Sequence, residues 1–129
     1  MRGLSAVILD LDGLMLDTEP IARQAWQRAA SERGYIIDDS LYNRIIGRTP
    51  RDTKRLLVDA LGDRFPYREA RLSQQEYFEQ AIEKGKLESK PGLHKLLQAI
   101  DDLKLRNAIA TSSHRASALR KLSAAGLQN

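Results

Sequence analysis

Apolar positions along this chain follow two periods, and the change from one to the other marks its elements. From Leu4 to Leu9 they are nearly continuous, the pattern of a strand covered on both faces. The run ends in Asp10-Leu11-Asp12-Gly13, and Asp10 to Asp17 reads as a loop with Gly13 as its permissive residue. The spacing then becomes helical. Asp17-Thr18-Glu19-Pro20 offers caps and a first-turn proline, Ile21, Ala25 and Ala29 share a face beside Trp26, and Gly34 ends the run. A short helix is predicted over SLYNRII. Thr49, Pro50 and Asp52 then make a capping-box start for a helix carrying Leu56, Leu57, Ala60 and Leu61 and ending at Gly62. A longer helix is predicted from Tyr67 to Lys84, with Tyr77, Phe78, Ala81 and Ile82 inward. Lys90-Pro91-Gly92 punctuates the chain. Leu93, Leu96, Leu97 and Ile100 follow at helical spacing, Leu105 to Ala110 reads as a second strand, and a last helix with Leu119 and Leu122 inward closes at Gly126.

The order is strand, helical block, helix, strand, helix. It predicts an α/β protein whose core, residues 1–16 and 90–129, is interrupted by an all-helical insertion over residues 17–89. A parallel sheet of two strands leaves each strand as an edge, so further strands or another chain are expected to complete it.

Composition narrows the class only modestly. The 129 residues are 42% apolar and 29% charged, with a net charge of +4. The basic residues are scattered rather than striped among aromatics, so nucleic acid is not an expected partner. The chain has no cysteine, which excludes disulfides, thiolate metal sites and cysteine nucleophiles. The N-terminal apolar run is too short and too acidic for a signal peptide or a membrane span, and a cytoplasmic protein without membrane contact is expected.

The first strand delivers two carboxylates, one residue apart, to its C-terminal end, where α/β folds bind ligands. An extended backbone points Asp10 and Asp12 the same way. Two like charges so close call for a cation or a shared proton, and carboxylate oxygens suit Mg²⁺. One carboxylate can attack phosphorus while its partner serves as acid and base. The plain structural alternative is that both aspartates only cap or turn. The second strand ends similarly. Thr111 can donate to a phosphoryl oxygen, and the N–H groups of Ser112 and Ser113 can help at a helix start, or these residues simply cap the helix that follows.

Taken together, Val7-Ile8-Leu9-Asp10-Leu11-Asp12-Gly13, then Leu16-Asp17-Thr18-Glu19, and later Ala110-Thr111-Ser112-Ser113 resemble the haloacid dehalogenase-like superfamily. The nearer likeness is to its β-phosphoglucomutase-like branch of sugar- and nucleotide-phosphate phosphatases with a helical cap. The resemblance spans essentially the whole chain. It implies a Rossmann-like core with an inserted cap, and a magnesium-dependent phosphomonoesterase. Asp10 takes the part of nucleophile and Mg²⁺ ligand. Asp12 takes that of acid/base, with its backbone carbonyl on the metal, and Thr111 that of the phosphoryl-binding hydroxyl. Gly13, Ser112 and Ser113 lie at the phosphate, and Thr18 at a cap hinge near the substrate. In the mutases a histidine follows that Thr by four residues and a cap Arg grips a distal phosphate. Here those positions hold Ala22 and Pro50, the latter between Arg48 and Arg51, which favours hydrolysis over mutase chemistry.

The family site also needs a lysine and a later acidic pair, and no residue matches either by position. The chain therefore resembles the N-terminal part of such an enzyme. Asp101-Asp102 is no substitute, being placed at the far edge of the sheet, and Gly126-Leu127-Gln128-Asn129 reads as the approach to another strand. Lys90 is expected to be a linker charge, His94 to face solvent, His114 to lie in the loop after the second strand, and Trp26 to belong to the core of the insertion. The expected partner is a small phosphate ester, either a sugar phosphate or a nucleotide. The whole protein is expected to be a monomer, with turnover by these residues alone negligible and self-association open to them. A non-catalytic remnant acting in protein binding or assembly is the reading from a different class.

Overall fold

A computed structural model describes residues 3–127 as two strands and six helices. The elements are β1 (Ala6–Asp10), α1 (Glu19–Ser31), α2 (Asp39–Ile45), α3 (Pro50–Leu61), α4 (Tyr67–Glu83), α5 (Leu93–Asp102), β2 (Arg106–Ala110) and α6 (Arg115–Ala124). The α/β class is as expected. The approach to a further strand read at Gly126 to Asn129 falls partly outside the described residues. None of the helices described is long and apolar enough to cross a membrane. The chain divides into two compact units, one formed by Met1–Glu19 with Ala81–Asn129 and the other by Pro20–Gln80.

The first unit is built on a parallel pair. β1 and β2 run side by side from Ala6 opposite Arg106 to Asp10 opposite Ala110. Side chains alternate across the pair. Leu9 and Ile109, facing one another in register, turn to an apolar cavity of about 390 Å³ that Leu97, Leu119 and Leu122 also line. On the other face Ile8 is 73% exposed, so β1 is not covered on both faces as its apolar run suggests. Its apolar residues are those of a doubly covered strand, and among the described residues nothing shields Ile8. Leu93 and Ile100 of α5 are buried as expected, but Leu96 is exposed and Leu97 only half-buried. In α6 the expected inner face is corrected. Leu119 is 52% exposed, and the buried residues are Ala118 and Lys121. The helix is rotated about one position, which turns Leu119 and Leu122 to the open cavity.

The second unit has its own core. Trp26, Ile37, Leu41, Tyr42, Leu57 and Phe65 belong to one buried cluster, with Trp26 stacked on Tyr67 at 5.9 Å between ring centroids. Trp26 is thus a core residue, as read from the sequence. Helix α3 starts as predicted: Thr49 Oγ1 accepts from the Asp52 amide at 3.2 Å and Pro50 takes the first turn. Its inner face is Thr53 and Leu57, whereas Ala60 is exposed. Helix α2 is capped by Asp38, whose carboxylate accepts from the Leu41 amide at 2.7 Å. In α4 the buried residues are Tyr67 and Ala70, and the expected inner residues Tyr77, Phe78, Ala81 and Ile82 are only half-buried. The first turn of α4 carries the burial because the Tyr67 ring meets Trp26 and its hydroxyl donates to the Pro50 carbonyl at 3.2 Å.

Tyr77 has a polar task instead. Its hydroxyl donates to a Glu32 carboxylate oxygen, and Arg28 lies over its ring at 3.8 Å while pairing with Glu32 at 3.0 Å. The hydrogen bond from Tyr77, then Arg28, holds the Glu32 carboxyl below its ordinary 4.5, and the same bond raises the Tyr77 phenol above 10.0. A carboxyl depressed in the fold contributes stability above its unfolded value and loses it as pH falls through the folded value. Both groups are at the surface, where solvent screens the effect. Tyr77→Phe is expected to move the Glu32 titration up toward 4.5, read by carboxyl carbon NMR, with the acid limb of stability shifting the same way.

Candidate active site

The two aspartates flank a buried anchor. Asp10 is the last residue of β1 and exposed, Leu11 is fully buried, and Asp12 is again partly open. After Asp12 the chain folds back tightly. Gly13, at φ +79°, donates to the Leu16 carbonyl at 2.9 Å, and the Met15 and Leu16 amides both donate to the Leu11 carbonyl at 3.1 Å. A side chain at Gly13 would meet nothing within 4 Å, so glycine is required there for its left-handed backbone rather than for space. Met15 and Leu16 are buried and fix the loop from below.

The second strand brings its loop beside Asp12. Thr111 follows β2 directly, and its Oγ1 accepts from the Ser113 amide at 3.1 Å, a local turn. That turn presents the Ser113 hydroxyl to Asp12, whose Oδ2 it meets at 3.1 Å across 101 positions of sequence. Ser112 is exposed. The capping alternative for Thr111, Ser112 and Ser113 does not hold: His114 occupies the N-cap of α6, with no side-chain capping bond. Thr111 spends its oxygen on Ser113 instead. Thr18 is buried just before α1.

A lysine completes the cluster. Lys121 Nζ donates to Asp12 Oδ1 at 3.0 Å and to Ser113 Oγ at 3.2 Å. Lys121 is 7% exposed, and the side chain of Asp12 about one-third exposed. An ammonium so buried needs a carboxylate and further acceptors close by. No residue matched the family lysine by position, yet the fold itself places a lysine against Asp12. The sequence signal in α6 was slight: Ala118 and Lys121, a small residue and a lysine at helical spacing, are the two buried there. The larger Leu119 and Leu122 masked it.

Among the described residues no three or more His, Cys, Asp or Glu side chains stand where they could hold a metal ion together. Each Asp12 carboxylate oxygen accepts a hydrogen bond, and the Asp10 carboxylate, exposed at the strand end, is a hard oxygen donor of the kind that suits Mg²⁺. Lys90 is a linker charge as expected, paired with Asp17 at 3.2 Å. His94 is exposed beside Ser89, His114 is exposed at the start of α6, and Arg48 and Arg51 are exposed at the start of α3. Asp101 and Asp102 end α5 just before β2 begins opposite Ala6, at the other end of the pair from Asp10.

The family profile described as haloacid dehalogenase-like hydrolase matches residues 7–129. Among curated proteins, a "Phosphorylated carbohydrates phosphatase" of Thermotoga maritima is 30% identical over 125 residues, which is 92% of this chain and 55% of that protein. Among solved structures, a haloacid dehalogenase family hydrolase from Deinococcus radiodurans with bound phosphate and sodium is 26% identical. It superposes at a TM-score of 0.73 over 96% of this chain and 53% of its own. The CbbY protein of Rhodobacter sphaeroides, in complex with phosphate, shares the fold at a TM-score of 0.75 and 18% identity, over 96% of this chain and 58% of its own. The chain spans about half the length of the curated relatives it matches.

The two aspartates differ in what the fold asks of them. Asp12→Ala strands a buried ammonium and is expected to lower stability by about 1–3 kcal/mol. Asp10→Asn, at an exposed strand end, is expected to change it by no more than about 0.5 kcal/mol. Paired urea melts measure the difference.

Proposed function

The chain belongs to the haloacid dehalogenase-like hydrolases, and from that membership we propose that it carries the nucleophile half of a phosphomonoesterase. The observation that carries the reading is the meeting of Asp12 with the loop of Thr111 and Ser113, which joins the ends of two parallel strands into one polar site. Asp10, at the strand end, attacks phosphorus, and the bond from phosphorus to the leaving alcohol breaks as Asp12 supplies its proton. Water then gives a proton to Asp12 and attacks the aspartyl-phosphate, which returns Asp10 as a free carboxylate. Thr111 and the amides at the start of α6 hold phosphoryl oxygens. Mg²⁺, held by the Asp10 carboxylate and the Asp12 backbone carbonyl, supplies charge neutralisation at the phosphoryl group when bound.

Residues 17–89 act in this reading as a cap that selects the substrate, with Thr18 at its hinge. A small sugar phosphate is the favoured substrate class, supported by the phosphorylated-carbohydrate phosphatase of Thermotoga maritima. Ala22 and Pro50 stand where mutases carry a proton-transferring histidine and a phosphate-gripping arginine, which supports hydrolysis.

A phosphate-release survey of the complete protein across sugar phosphates and nucleoside monophosphates tests the reading. Release is expected to require Mg²⁺, to stop on chelation, and to fall by about a thousandfold or more in Asp10→Asn. Turnover that survives Asp10→Asn would exclude the aspartyl-phosphate route.

A further inference from the structure

We propose that Lys121 is a positioning residue that, with Ser113, sets the orientation of the Asp12 carboxylate for proton transfer to the leaving group; the inference rests on the phosphomonoesterase reading above. Asp12 lies in a loop, where a carboxylate on a short stem has several rotamers open to it. Two donors from different places in the chain remove that freedom. Lys121 Nζ reaches Oδ1 at 3.0 Å from α6, and Ser113 Oγ reaches Oδ2 at 3.1 Å from the loop after β2. The donors are also tied to each other, Lys121 Nζ to Ser113 Oγ at 3.2 Å, so the carboxylate plane is held along both edges. Each oxygen keeps a second lone-pair direction, and the open part of Asp12 is where a leaving oxygen can approach it.

The burial of Lys121 argues for more than a surface ion pair. A lysine at 7% exposure is drawn from water along the whole of its stem, and a solvated surface pair would need none of this. Ala118, three residues earlier in α6 and likewise buried, is a small neighbour beside which such a stem can lie. Proton transfer needs the donor oxygen, the proton and the leaving oxygen nearly in line. Misalignment of an acid therefore costs most when the leaving alcohol is a poor one, and little when it departs readily as a phenolate.

The test is a leaving-group comparison in the complete protein, with Lys121→Met and Lys121→Arg assayed on an alkyl sugar phosphate and on p-nitrophenyl phosphate. Lys121→Met is expected to lower kcat on the alkyl ester by about 10–100-fold and on the aryl ester by less than about threefold, with KM nearly unchanged on both. Lys121→Arg, keeping a cation at that place, is expected to recover most of the alkyl activity. An equal loss on both esters, or a loss confined to KM, would overturn the proposal in favour of phosphate binding or of the fold alone. Carboxyl carbon NMR of the unliganded protein gives a readout independent of turnover. The Asp12 resonance should move in Lys121→Met, stay near the wild type in Lys121→Arg, and move more than that of Asp10. An unmoved Asp12 resonance would also overturn the proposal. If the wild type turns over neither ester, the hydrolase reading fails, and proton transfer by Asp12 fails with it even where the resonance moves.

Discussion

Everything at the candidate site depends on the register of one parallel strand pair. Asp10 lies opposite Ala110, so the chain leaves both strands at the same level and on the same side. Only then can Asp12, two residues beyond one strand, meet Ser113, three beyond the other. Alternation gives the constraint its force, because a slip of one residue would turn Leu9 and Ile109 away from their cavity and move the loop after β2 out of reach of Asp12. The apolar side of the sheet and the polar ends of its strands are thus specified together.

The tight turn at Gly13 and the turn at Thr111 answer the same need from two directions. Each bonds backbone amides within its own loop, those of Gly13, Met15 and Leu16 in the first and that of Ser113 in the second. Each leaves a side chain projecting toward the other loop. The ammonium of Lys121 then satisfies what would otherwise be a carboxylate and a hydroxyl crowded together. An uncapped α6 fits this arrangement, since the first amides of the helix are not covered by a capping side chain.

Much of this was legible in the sequence where local chemistry decides. Thr49, Pro50 and Asp52 fix a helix start by themselves, and Asp10-Leu11-Asp12-Gly13 signals a strand end because no other element suits it. The stacking of Trp26 on Tyr67 gives the core place read for Trp26, whereas the inner face of α4 was misjudged because its first turn, not its apolar middle, meets that ring. Lys121 was missed for a deeper reason. Periodicity ranks helix faces by apolar bulk, and a face of one alanine and a lysine ranks low although it is the buried one. Its partner carboxylate is 109 positions away, beyond any local pattern. The cover of β1 was misread for the converse reason, since an apolar strand declares what it can bury and not what is there to bury it.

Where the chain passes toward and back from its helical stretch, the two passes are stitched together. Leu16 bridges Ser89 in antiparallel fashion, the Asp17 amide donates to the Glu88 carbonyl at 2.8 Å, and the Lys90 amide donates to the Met15 carbonyl at 2.8 Å. The excursion between them is therefore a closed loop anchored at a two-stranded neck. The entropy of closing such a loop grows only logarithmically with its length. A neck of this kind makes the excursion exchangeable: a longer, shorter or differently folded stretch could be grafted at the same two points with little added closure penalty. The strand ends that carry Asp10 and Thr111 would keep their register, so the excursion could change without disturbing the cluster of Asp12, Ser113 and Lys121.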